Sequence, residues 1–449
     1  MRIVIVGAGH VGLVSAACFA AVGHDVVALD IDEQRIETLR RGESPFFEPG
    51  LDELLVAGSR AGRLTFTTDP LEAFGGAQLA FLCVATPNDD QGEVDLRGVV
   101  SAARTIAHHA EPGTVLVNRS TAPVGTAGYV RSIIDEGREG DVHVAVNPEF
   151  LAEGTAVRDF LYPDRVVIGA WDAEAGERVR SAYDRIVSHD LPSDVTDDLG
   201  SLPYDTSAPV PVVITAPPTA ELIKYAANAF LAMKISFINE MGWIAEEVGG
   251  DVTEVSRAVG LDRRIGPHFL NAGIGWGGSC FPKDIVALQG MAATHGLEAR
   301  LLKAANDVNA HQHMWVVRKL QRHLKTLVGR RVALLGLAFK PNTDDLRNAP
   351  SLEIAAELAR SSVRVRAYDP IVKELPEEYA GVIELADDPV SAASGAEAVV
   401  LVTEWPQFRE LDLHALGSAM RERLFLDGRN YLDPDTVRAA GFTYVGVGR

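Results

Sequence analysis

The sequence predicts an α/β protein in which two doubly wound domains are joined by a long central helix and an all-helical middle region. Three observations predict this plan. A strand–helix–strand unit opens the chain, helical spacing without an internal proline runs through roughly residues 219–248, and strands alternating with helices start again at 329. We therefore expect an N-terminal domain at 1–210, a central helical region at 211–325 and a C-terminal domain at 326–449.

The N-terminal domain is predicted from alternating runs of residues. A strand is indicated by RIVIVGAG, a helix of small residues by GHVGLVSAACFAAVGH, and a second strand ending in acid by HDVVALDID. Further strand-like runs occur at 79–84, 114–118, 142–146 and 165–168. Residues 189–211 are rich in proline, serine and aspartate, which indicates an exposed loop or insertion between this domain and the long helix.

The rest of the chain is predicted in the same way. A second helical region follows the long helix, from about 283 to 327. Beyond it, strands are indicated by GRRVALLGLAF, VRVRAYDP and AEAVVLVTEW, and a helix by SLEIAAELARS. This predicts a second α/β domain, although it lacks a GxGxxG turn.

Composition excludes several classes of protein. The formal net charge of −20 argues against nonspecific nucleic-acid binding, and no apolar run is long enough to cross a membrane. Three scattered cysteines are too few for a disulfide framework or a structural zinc site. We expect a cytoplasmic protein with no metal, whose anionic ligands are bound by local basic residues.

A glycine-rich turn lies between the first strand and the first helix. Gly7 allows the tight turn, Gly9 lets a pyrophosphate approach the backbone, and Gly12 permits close packing of helix on strand. Asp30 ends the next strand, where its carboxylate accepts hydrogen bonds from ribose hydroxyls and repels a 2′-phosphate. Arg35 weakens the case against NADP, since an arginine near this position can accommodate a 2′-phosphate. The pattern predicts a Rossmann-like domain that binds NAD in preference to NADP.

Lys224 and Asn228 lie four residues apart on the predicted long helix, so both side chains project from one face. An ammonium beside an amide forms a clamp for an oxyanion or a hydroxyl. The alternative is a solvated lysine beside an unrelated asparagine. The apolar surroundings, AELIKYAANAFLA, favour a partly buried lysine.

Three further polar residues are candidates. If NPEF opens a helical turn, Glu149 and Glu153 share a face, and their repulsion raises one pKa towards a value useful for proton transfer. The alternative is a charged surface turn. Thr121 follows the strand TVLVN, at the edge where α/β sheets contact ligands, although threonines at such positions also cap helices.

The segment GIGWGGSCFPKD contains the most informative cysteine. Cys280 follows a glycine pair and precedes Pro282, which is typical of the first turn of a helix. Unpaired amides at a helix start favour a thiolate, and Asp284 lies four residues further along the same face. These features leave two alternatives open, a nucleophile and a structural thiol.

Taken together, these segments resemble the UDP-glucose/GDP-mannose dehydrogenase family, and most closely its branch that oxidises UDP-glucose. The resemblance extends over nearly the whole chain in family order. Its segments are GAGHVG, VATP, STAPVGT, NPEFLAEGTAVRDFLYPDRVVIG, AELIKYAANAFLAMKISFINEM, GIGWGGSCFPKD and GLAFKPNTDDLRNAPS. Arg119 and Ala122 depart from the usual pattern, which has lysine and valine there.

The resemblance implies a four-electron oxidation of a sugar nucleotide, in which a C6 alcohol becomes a carboxylate and two NAD⁺ are used in turn. Thr121 and Asp284 hold a water that helps remove the hydroxyl proton, and Lys224 with Asn228 stabilises the alkoxide. For UDP-glucose the product is UDP-glucuronate.

In the second half of that scheme, Cys280 attacks the aldehyde to form a thiohemiacetal. A second hydride transfer gives a thioester, which water hydrolyses with Glu153 as the base.

The resemblance also implies binding residues. Those for the cofactor are Gly7, Gly9, Gly12, Asp30, Arg35, Thr86, Thr121, Glu153, Lys283 and Arg347. Those for the UDP-sugar are Glu149, Phe150, Leu151, Lys224, Asn228, Arg264, Phe269, Gly277, Phe339, Lys340 and Arg429. The loop with Arg264 and Phe269 matches one that reaches a neighbouring subunit's substrate, which implies a homodimer or a higher homo-oligomer.

Three alternatives to UDP-glucose oxidation remain. GDP-mannose or UDP-N-acetylmannosamine oxidation belongs to the same family. A two-electron hydroxyacid dehydrogenase also has a KxxxN helix but needs no thiol. A non-enzymatic NAD-binding regulator requires neither Lys224 nor Cys280.

Overall fold

The computed structural model describes residues 1–89, 94–138, 142–192 and 208–449 of the chain. Most of the insertion predicted at 189–211 lies outside the described residues. The chain divides into two compact units, Met1–Ala226 and Ala227–Arg449. The division into three regions at 210 and 325 stays a prediction.

The first unit contains an eight-stranded sheet in the order β3-β2-β1-β4-β5-β6-β7-β8. Neighbouring strands are parallel except β6 and β7, which are antiparallel. The strands are β1 (Arg2–Val6), β2 (Asp25–Leu29), β3 (Leu64–Thr67), β4 (Leu79–Leu82), β5 (Val115–Asn118), β6 (His143–Val146), β7 (Val166–Ala170) and β8 (Val212–Thr215). Strand order reverses between β1 and β4, and ligands bind at the carboxyl ends of strands beside such a reversal.

The described helices of the first unit connect these strands. They are α1 (His10–Ala21), α2 (Glu33–Arg40), α3 (Leu51–Arg60), α4 (Pro70–Phe74), α5 (Arg97–His109), α6 (Thr126–Arg138), α7 (Ala156–Leu161), α8 (Ala173–Ser181) and α9 (Asp184–Val187). The small residues of α1 explain its central place. Ala16, Ala17 and Cys18 are fully buried, and small side chains allow the helix to pack closely on the sheet.

Helix α10 (Pro217–Val248) contains the boundary between the two units. Its 32 residues confirm the long uninterrupted helix predicted from spacing. The second helical region predicted at about 283–327 contains two helices, Phe281–Thr294 and Arg300–Leu324. The described helices after α10 are α11 (Val252–Gly260), α12 (Phe281–Thr294), α13 (Arg300–Leu324), α14 (Pro350–Arg360), α15 (Pro389–Ala393), α16 (Leu413–Ala419) and α17 (Pro434–Ala439). Two 3₁₀ turns cover Glu377–Tyr379 and Pro406–Glu410.

The second unit contains a six-stranded parallel sheet in the order β11-β10-β9-β12-β13-β14. The strands are β9 (Arg331–Leu335), β10 (Arg364–Tyr368), β11 (Ile383–Leu385), β12 (Ala398–Leu401), β13 (Leu424–Asp427) and β14 (Thr443–Gly446). Relative to its own first strand, this order is the one that β1 to β6 follow in the first unit. The prediction of two Rossmann-like, doubly wound domains is confirmed.

Both sheets hold the turn after their first strand with a carboxylate at the end of their second. Asp30 accepts a hydrogen bond from the Ala8 amide at 2.7 Å. Asp369 accepts from the amides of Leu337 and Ala338 at 2.7 and 3.1 Å. The turn after the first strand is therefore held in the same way in both units, although the second lacks a GxGxxG sequence.

Within the described residues, no helix combines the length and hydrophobicity needed to cross a bilayer. No cluster of three or more histidine, cysteine or acidic side chains in that part of the chain has the arrangement of a metal site.

Candidate active site

The glycine turn of the first unit fits a dinucleotide. Gly7 has φ +99°, and a Cβ there would lie 2.6 Å from the Cys83 carbonyl oxygen. A Cβ on Gly12 would lie 1.9 Å from the Gly7 carbonyl oxygen, so only glycine allows α1 to approach β1 this closely. At Gly9, by contrast, no atom lies within 4 Å of an added Cβ. The turn is closed on the protein side and open where a pyrophosphate approaches the helix start.

Asp30, the carboxylate of the predicted ribose site, already accepts hydrogen bonds from the protein. Asp30 is nearly buried, and its Oδ2 accepts from the Ala8 amide and from Arg35 Nη1 at 3.1 Å. Arg35 also lies 3.8 Å from Asp32. Two carboxylates therefore compensate the guanidinium, which weakens its ability to hold a 2′-phosphate. This arrangement favours NAD over NADP.

The segment with Thr121 is fixed at two points. The Thr86 hydroxyl donates to the Thr121 carbonyl at 2.7 Å. Glu221, on α10, accepts from the amides of Gly125 and Ala127 at 2.7 Å each. Burial raises the pKa of Glu221, although these amides partly oppose the shift. Sequence reasoning missed Glu221, because its partners lie almost a hundred residues away.

Lys224 is buried and forms an ion pair with Glu149, at 2.8 Å between Nζ and Oε1. The interpretation of Lys224 as a solvated surface lysine is therefore wrong. The second oxygen of Glu149 accepts from the Leu151 amide at 2.7 Å. The Phe150 ring lies between two cations, 3.7 Å from the Arg165 guanidinium and 5.7 Å from Lys224 Nζ. These contacts bring four of the predicted substrate residues together in the first unit.

The expected helical turn with Glu149 and Glu153 on one face is wrong. Residues 147–155 are not helical, and α7 begins only at Ala156. Burial alone would raise the pKa of Glu149, but the Lys224 ammonium, the Arg119 guanidinium and the Leu151 amide together outweigh it and lower the pKa below its usual value. Repulsion between the two carboxylates is thus not what sets the protonation of Glu149. Glu153 is half-buried in the turn before α7, and its role as a base stays a prediction.

In the second unit, Cys280 is exposed at the N-cap of α12, and Pro282 lies in the first turn as the sequence predicted. The Asp284 amide donates to the Cys280 carbonyl at 2.9 Å, which closes that turn. The other two cysteines differ. Cys18 and Cys83 are buried, and burial raises the pKa of Cys83 to about 12 and that of Cys18 further. Exposure and position distinguish Cys280 as the reactive candidate.

The Asp284 carboxylate is buried and has two nitrogen partners. Asn228 Nδ2 donates to Oδ2 at 2.6 Å, and Lys283 Nζ donates to Oδ1 at 2.7 Å. Asn228 belongs to α10, so this bond ties the helix to the start of α12. Asn228 is therefore oriented by a carboxylate, and its role at a substrate hydroxyl stays a prediction.

The loop before Cys280 is held by α13, which the sequence did not indicate. The Trp276 amide donates to Asn309 Oδ1 at 2.8 Å, and Asn309 Nδ2 donates to the Trp276 carbonyl at 2.9 Å. Gly275 has φ +104°, and a Cβ there would lie 2.7 Å from Asn309 Oδ1 and 2.8 Å from His313 Nε2. The glycines of this loop thus allow close approach of a helix side chain.

The same loop meets the turn after β9. The Gly278 amide donates to the Arg347 carbonyl at 3.1 Å, and Asn348 Nδ2 donates to the Gly278 carbonyl at 3.2 Å. A Cβ on Gly277 would lie 2.0 Å from the Asn348 carbonyl oxygen, and one on Gly278 would lie 2.7 Å from the Phe339 ring. Gly277, Phe339 and Arg347, all predicted as ligand residues, are therefore brought together.

The predicted cations of the second unit have protein partners. Arg347 forms a forked pair with Asp345. Arg429 is half-buried and donates from Nε to the Val402 carbonyl at 2.7 Å. Lys340 Nζ lies 5.4 Å from the centre of the Phe339 ring. Their roles as nucleotide contacts stay predictions.

The loop predicted to reach a neighbouring subunit is exposed. Arg264 forms a forked pair with Asp262, which raises the pKa of the arginine. Phe269 is 41% exposed with φ +61°, and its ring lies 6.4 Å from that of Phe281. An exposed aromatic ring in a left-handed backbone conformation is unusual and is consistent with a contact residue.

The three domains of the UDP-glucose/GDP-mannose dehydrogenase family match the chain in order. The NAD binding domain matches residues 1–187, the central domain 218–311 and the UDP binding domain 333–434. The chain belongs to this family.

Relatives with established names cover the whole chain. The UDP-glucose 6-dehydrogenase of Pseudomonas aeruginosa is 43% identical over 100% of this chain and 98% of that protein. The enzyme of the same name from Rhizobium meliloti is 43% identical over 100% of both chains.

Solved structures are also similar over the full length. A UDP-glucose dehydrogenase from the archaeon Pyrobaculum islandicum has a TM-score of 0.86 and 37% identity, covering 100% of this chain and 97% of that one. A UDP-D-ManNAc dehydrogenase from Pyrococcus horikoshii has a TM-score of 0.84 and 27% identity, covering 100% and 99%.

The buried pair of Glu149 and Lys224 predicts a pH-dependent loss of stability. In the wild type the lowered pKa of Glu149 contributes stability that is present above the ordinary carboxyl pKa and lost as pH falls. In Lys224→Met, burial without the cation raises that pKa, so stability is instead lost as pH rises. We expect the free energy of unfolding to fall by about 3–5 kcal/mol near neutral pH, and by less near pH 5.

Urea denaturation of four proteins measures this effect: wild type, Lys224→Met, Glu149→Gln and the double variant. The double variant, which has no buried charge at the pair, recovers most of the stability near neutral pH. The ion pair's role is contradicted if Lys224→Met lowers the free energy of unfolding equally at both pH values. It is also contradicted if adding Glu149→Gln does not restore stability.

Proposed function

We propose that this chain is an NAD-dependent UDP-glucose 6-dehydrogenase, which oxidises the C6 alcohol of UDP-glucose to the carboxylate of UDP-glucuronate. The observation that carries the proposal is Cys280, an exposed thiol at the start of a helix whose first turn also contains the buried Asp284. An enzyme that stops at the carbonyl needs no nucleophile, whereas oxidation to an acid needs one that makes the aldehyde carbon a hydride donor again. The full-length relatives of the same name support this choice of substrate.

The first unit holds the pyrophosphate and the adenosine ribose of the cofactor. Gly7, Gly9 and Gly12 receive the pyrophosphate, and Asp30 binds the adenosine ribose. When bound, NAD⁺ accepts a hydride, and two molecules in turn accept the four electrons. The remaining residues proposed to contact it are Arg35, Thr86, Thr121, Glu153, Lys283 and Arg347.

The first oxidation needs a base and a site for negative charge. The C6 hydroxyl loses its proton through a water held by Thr121 and Asp284, and its C6 hydrogen leaves as hydride. Lys224 and Asn228 stabilise the alkoxide oxygen. Lys224 suits this role because it is buried and lies 2.8 Å from the Glu149 carboxylate, and an opposite charge so close favours the charged form of an amine.

The second oxidation proceeds through the thiol. The Cys280 thiolate adds to the aldehyde carbon, forming a C–S bond and a thiohemiacetal oxygen that takes up a proton. Loss of that proton and of the second hydride gives a thioester. Water then attacks the carbonyl, Glu153 takes a proton from the water, and the Cys280 thiolate leaves the carboxylate product. A thiol with this role must stay reduced, which fits a cytoplasmic location.

We propose that the region from 326 to 449 binds UDP through Phe339, Lys340 and Arg429, and that 211–325 is the central dimerisation region. The family's UDP binding domain match over 333–434 supports the first assignment. The residues proposed for the sugar are Glu149, Phe150, Leu151, Lys224, Asn228, Gly277, Arg264 and Phe269.

A homo-oligomer is supported by an apolar stripe on α10. Phe230, Phe237 and Ile244 recur every seventh residue, hence on one helix face, and each is about half exposed. A contiguous exposed apolar stripe of this kind is typical of a subunit interface. We propose that it pairs with the same stripe of a second copy.

One alternative substrate has specific support. The UDP-D-ManNAc dehydrogenase structure is nearly as similar in fold as the UDP-glucose enzyme, although its sequence identity is lower. The test of the proposal is therefore a panel of UDP-glucose, UDP-N-acetylmannosamine and GDP-mannose, with NADH and sugar consumption measured together. We expect UDP-glucose to have the highest kcat/KM and to give two NADH per sugar. One NADH per sugar, or preference for another member of the panel, rejects the assignment.

Replacement of the nucleophile separates binding from turnover. In Cys280→Ala no thioester forms, so uronate release stops, while the affinity for NAD⁺ in a fluorescence titration stays at the wild-type value because the glycine turn is intact. Cys18→Ala is the matched control, since this buried cysteine has no role in the reaction, and it retains turnover. Uronate production by Cys280→Ala near the wild-type rate rules out the covalent step.

Disruption of the stripe tests the oligomer. Phe237→Glu places a charge in the centre of the proposed interface, and we expect light scattering after gel filtration to give the mass of a single chain. Val328→Glu is the control, because Val328 is also an exposed apolar residue of the second unit but lies off α10. Wild-type protein that is itself monomeric, or a variant that keeps the wild-type mass, contradicts the interface.

A further inference from the structure

Glu48 is a buried carboxylate in the loop before α3, and none of the roles proposed above involves it. Its side chain is fully shielded from solvent. Three donors surround it: His10 Nε2 at 2.9 Å, the Gly154 amide at 2.7 Å and the Ala156 amide at 2.8 Å. A buried carboxylate with this number of directed donors is fixed in one orientation and fixes its donors in turn.

The donors come from two places that matter for the reaction. His10 is the first residue of α1 and directly follows Gly9 of the glycine turn. Gly154 and Ala156 lie on the other side, one and three residues after Glu153. Glu48 therefore ties the start of the cofactor helix to the turn that contains the proposed base.

We propose that Glu48 is a positioning residue for thioester hydrolysis, because it fixes the backbone from which Glu153 takes the proton of the attacking water. This inference rests on the proposed function, in which Glu153 is that base. The hydrogen bonds of Glu48 described here go to the His10 ring and to two backbone amides. Glu48 is therefore proposed to act by holding the turn, and not by touching the substrate.

The turn depends on such support. Gly154 has φ +79°, and residues 152–155 are irregular backbone between a strand and a short helix. On the other side of the turn, Asp159 accepts from the Ala152 amide and the Thr155 hydroxyl, both at 2.9 Å. Asp159 thus holds residues 152 and 155 and Glu48 holds residues 154 and 156, so Glu153 lies between positions that the two carboxylates fix.

A carboxylate is the side chain that this arrangement requires. Oε1 accepts from Ala156 while Oε2 accepts from both Gly154 and His10. In glutamine one of the two oxygens becomes an amide nitrogen, which donates and cannot accept. Glu48→Gln therefore leaves at least one backbone amide facing a donor, and the turn shifts while the size of the side chain is preserved.

The test separates the hydrolysis step from the steps before it. With UDP-glucose and NAD⁺, we expect Glu48→Gln to keep the rapid first phase of NADH formation, which depends on Lys224 and Cys280. Steady-state turnover falls by about 10- to 100-fold, as for a catalytic group displaced by a fraction of an ångström to one ångström. The acid-quenched enzyme then carries the uronyl thioester on Cys280, which mass spectrometry of the intact protein detects.

Three further variants complete the experiment. Glu153→Gln removes the base itself and accumulates the same thioester. Glu48→Asp keeps the carboxylate but is one methylene shorter, so turnover lies between wild type and Glu48→Gln; it also takes the place of Glu48→Gln if that protein does not fold. Glu397→Gln is the matched control, a buried carboxylate of the second unit that accepts from the Arg331 amide at 2.7 Å, and it accumulates no thioester.

The possible outcomes are distinct. A thioester in Glu153→Gln but not in the Glu48 variants overturns the positioning role and leaves the proposed function intact. If Glu48→Gln loses both the rapid first phase of NADH formation and the steady-state turnover, the positioning role is also overturned, because a general structural defect has that effect. No thioester in any variant, from an enzyme that still forms two NADH per sugar, overturns the role of Glu153 and with it this inference.

Discussion

Buried carboxylates that accept hydrogen bonds from backbone amides hold the loops of both units in place. Asp30 and Asp369 fix the turns after the first strand of each sheet, and Asp427 accepts from the amides of Tyr431 and Leu432 after β13. An irregular loop has no ladder to satisfy its amides, and an unpaired buried amide costs about as much as a lost hydrogen bond. A side chain with two acceptor oxygens satisfies two amides at once. This constraint explains why so acidic a chain buries several carboxylates instead of exposing all of them.

A buried carboxylate is also important for the electrostatics of the proposed chemistry. Glu149 differs from the loop-holding carboxylates because its main partner is a cation, Lys224. Each member of a buried ion pair keeps the other ionised, whereas either one alone would tend to become neutral. The proposed role of Lys224 at an alkoxide depends on this pairing. Asp284 similarly fixes the orientation of Asn228, whose Nδ2 donates to its carboxylate.

Sequence reasoning succeeded where the constraint is local. Neighbouring residues are enough to predict the glycine turn after β1 and the start of α12 at Cys280. The length of α10 follows from a helical spacing of apolar residues that continues from one turn to the next. Sequence reasoning failed where the partner is distant: a carboxylate pair was expected at Glu149, whose true partner lies 75 residues further along the chain. Glu48 and its amide donors are separated by 106 and 108 residues, and no spacing rule joins them. The strands β3, β8, β11, β13 and β14 were missed; each has only three or four residues, which carry little periodicity.

The three cysteines show how fold alone assigns a reactive group. Cys18 and Cys83 belong to the tightly packed contact between α1 and the first sheet, where desolvation raises their pKa values and holds them as thiols. Cys280 lies instead at the exposed N-terminus of α12, a position where the partial positive charge of a helix start favours an anion. A nucleophile for an aldehyde must be both ionised and reachable. Of the three thiols, Cys280 alone combines an exposed position with a helix start, which is why the proposed covalent step is placed there and not at Cys18 or Cys83.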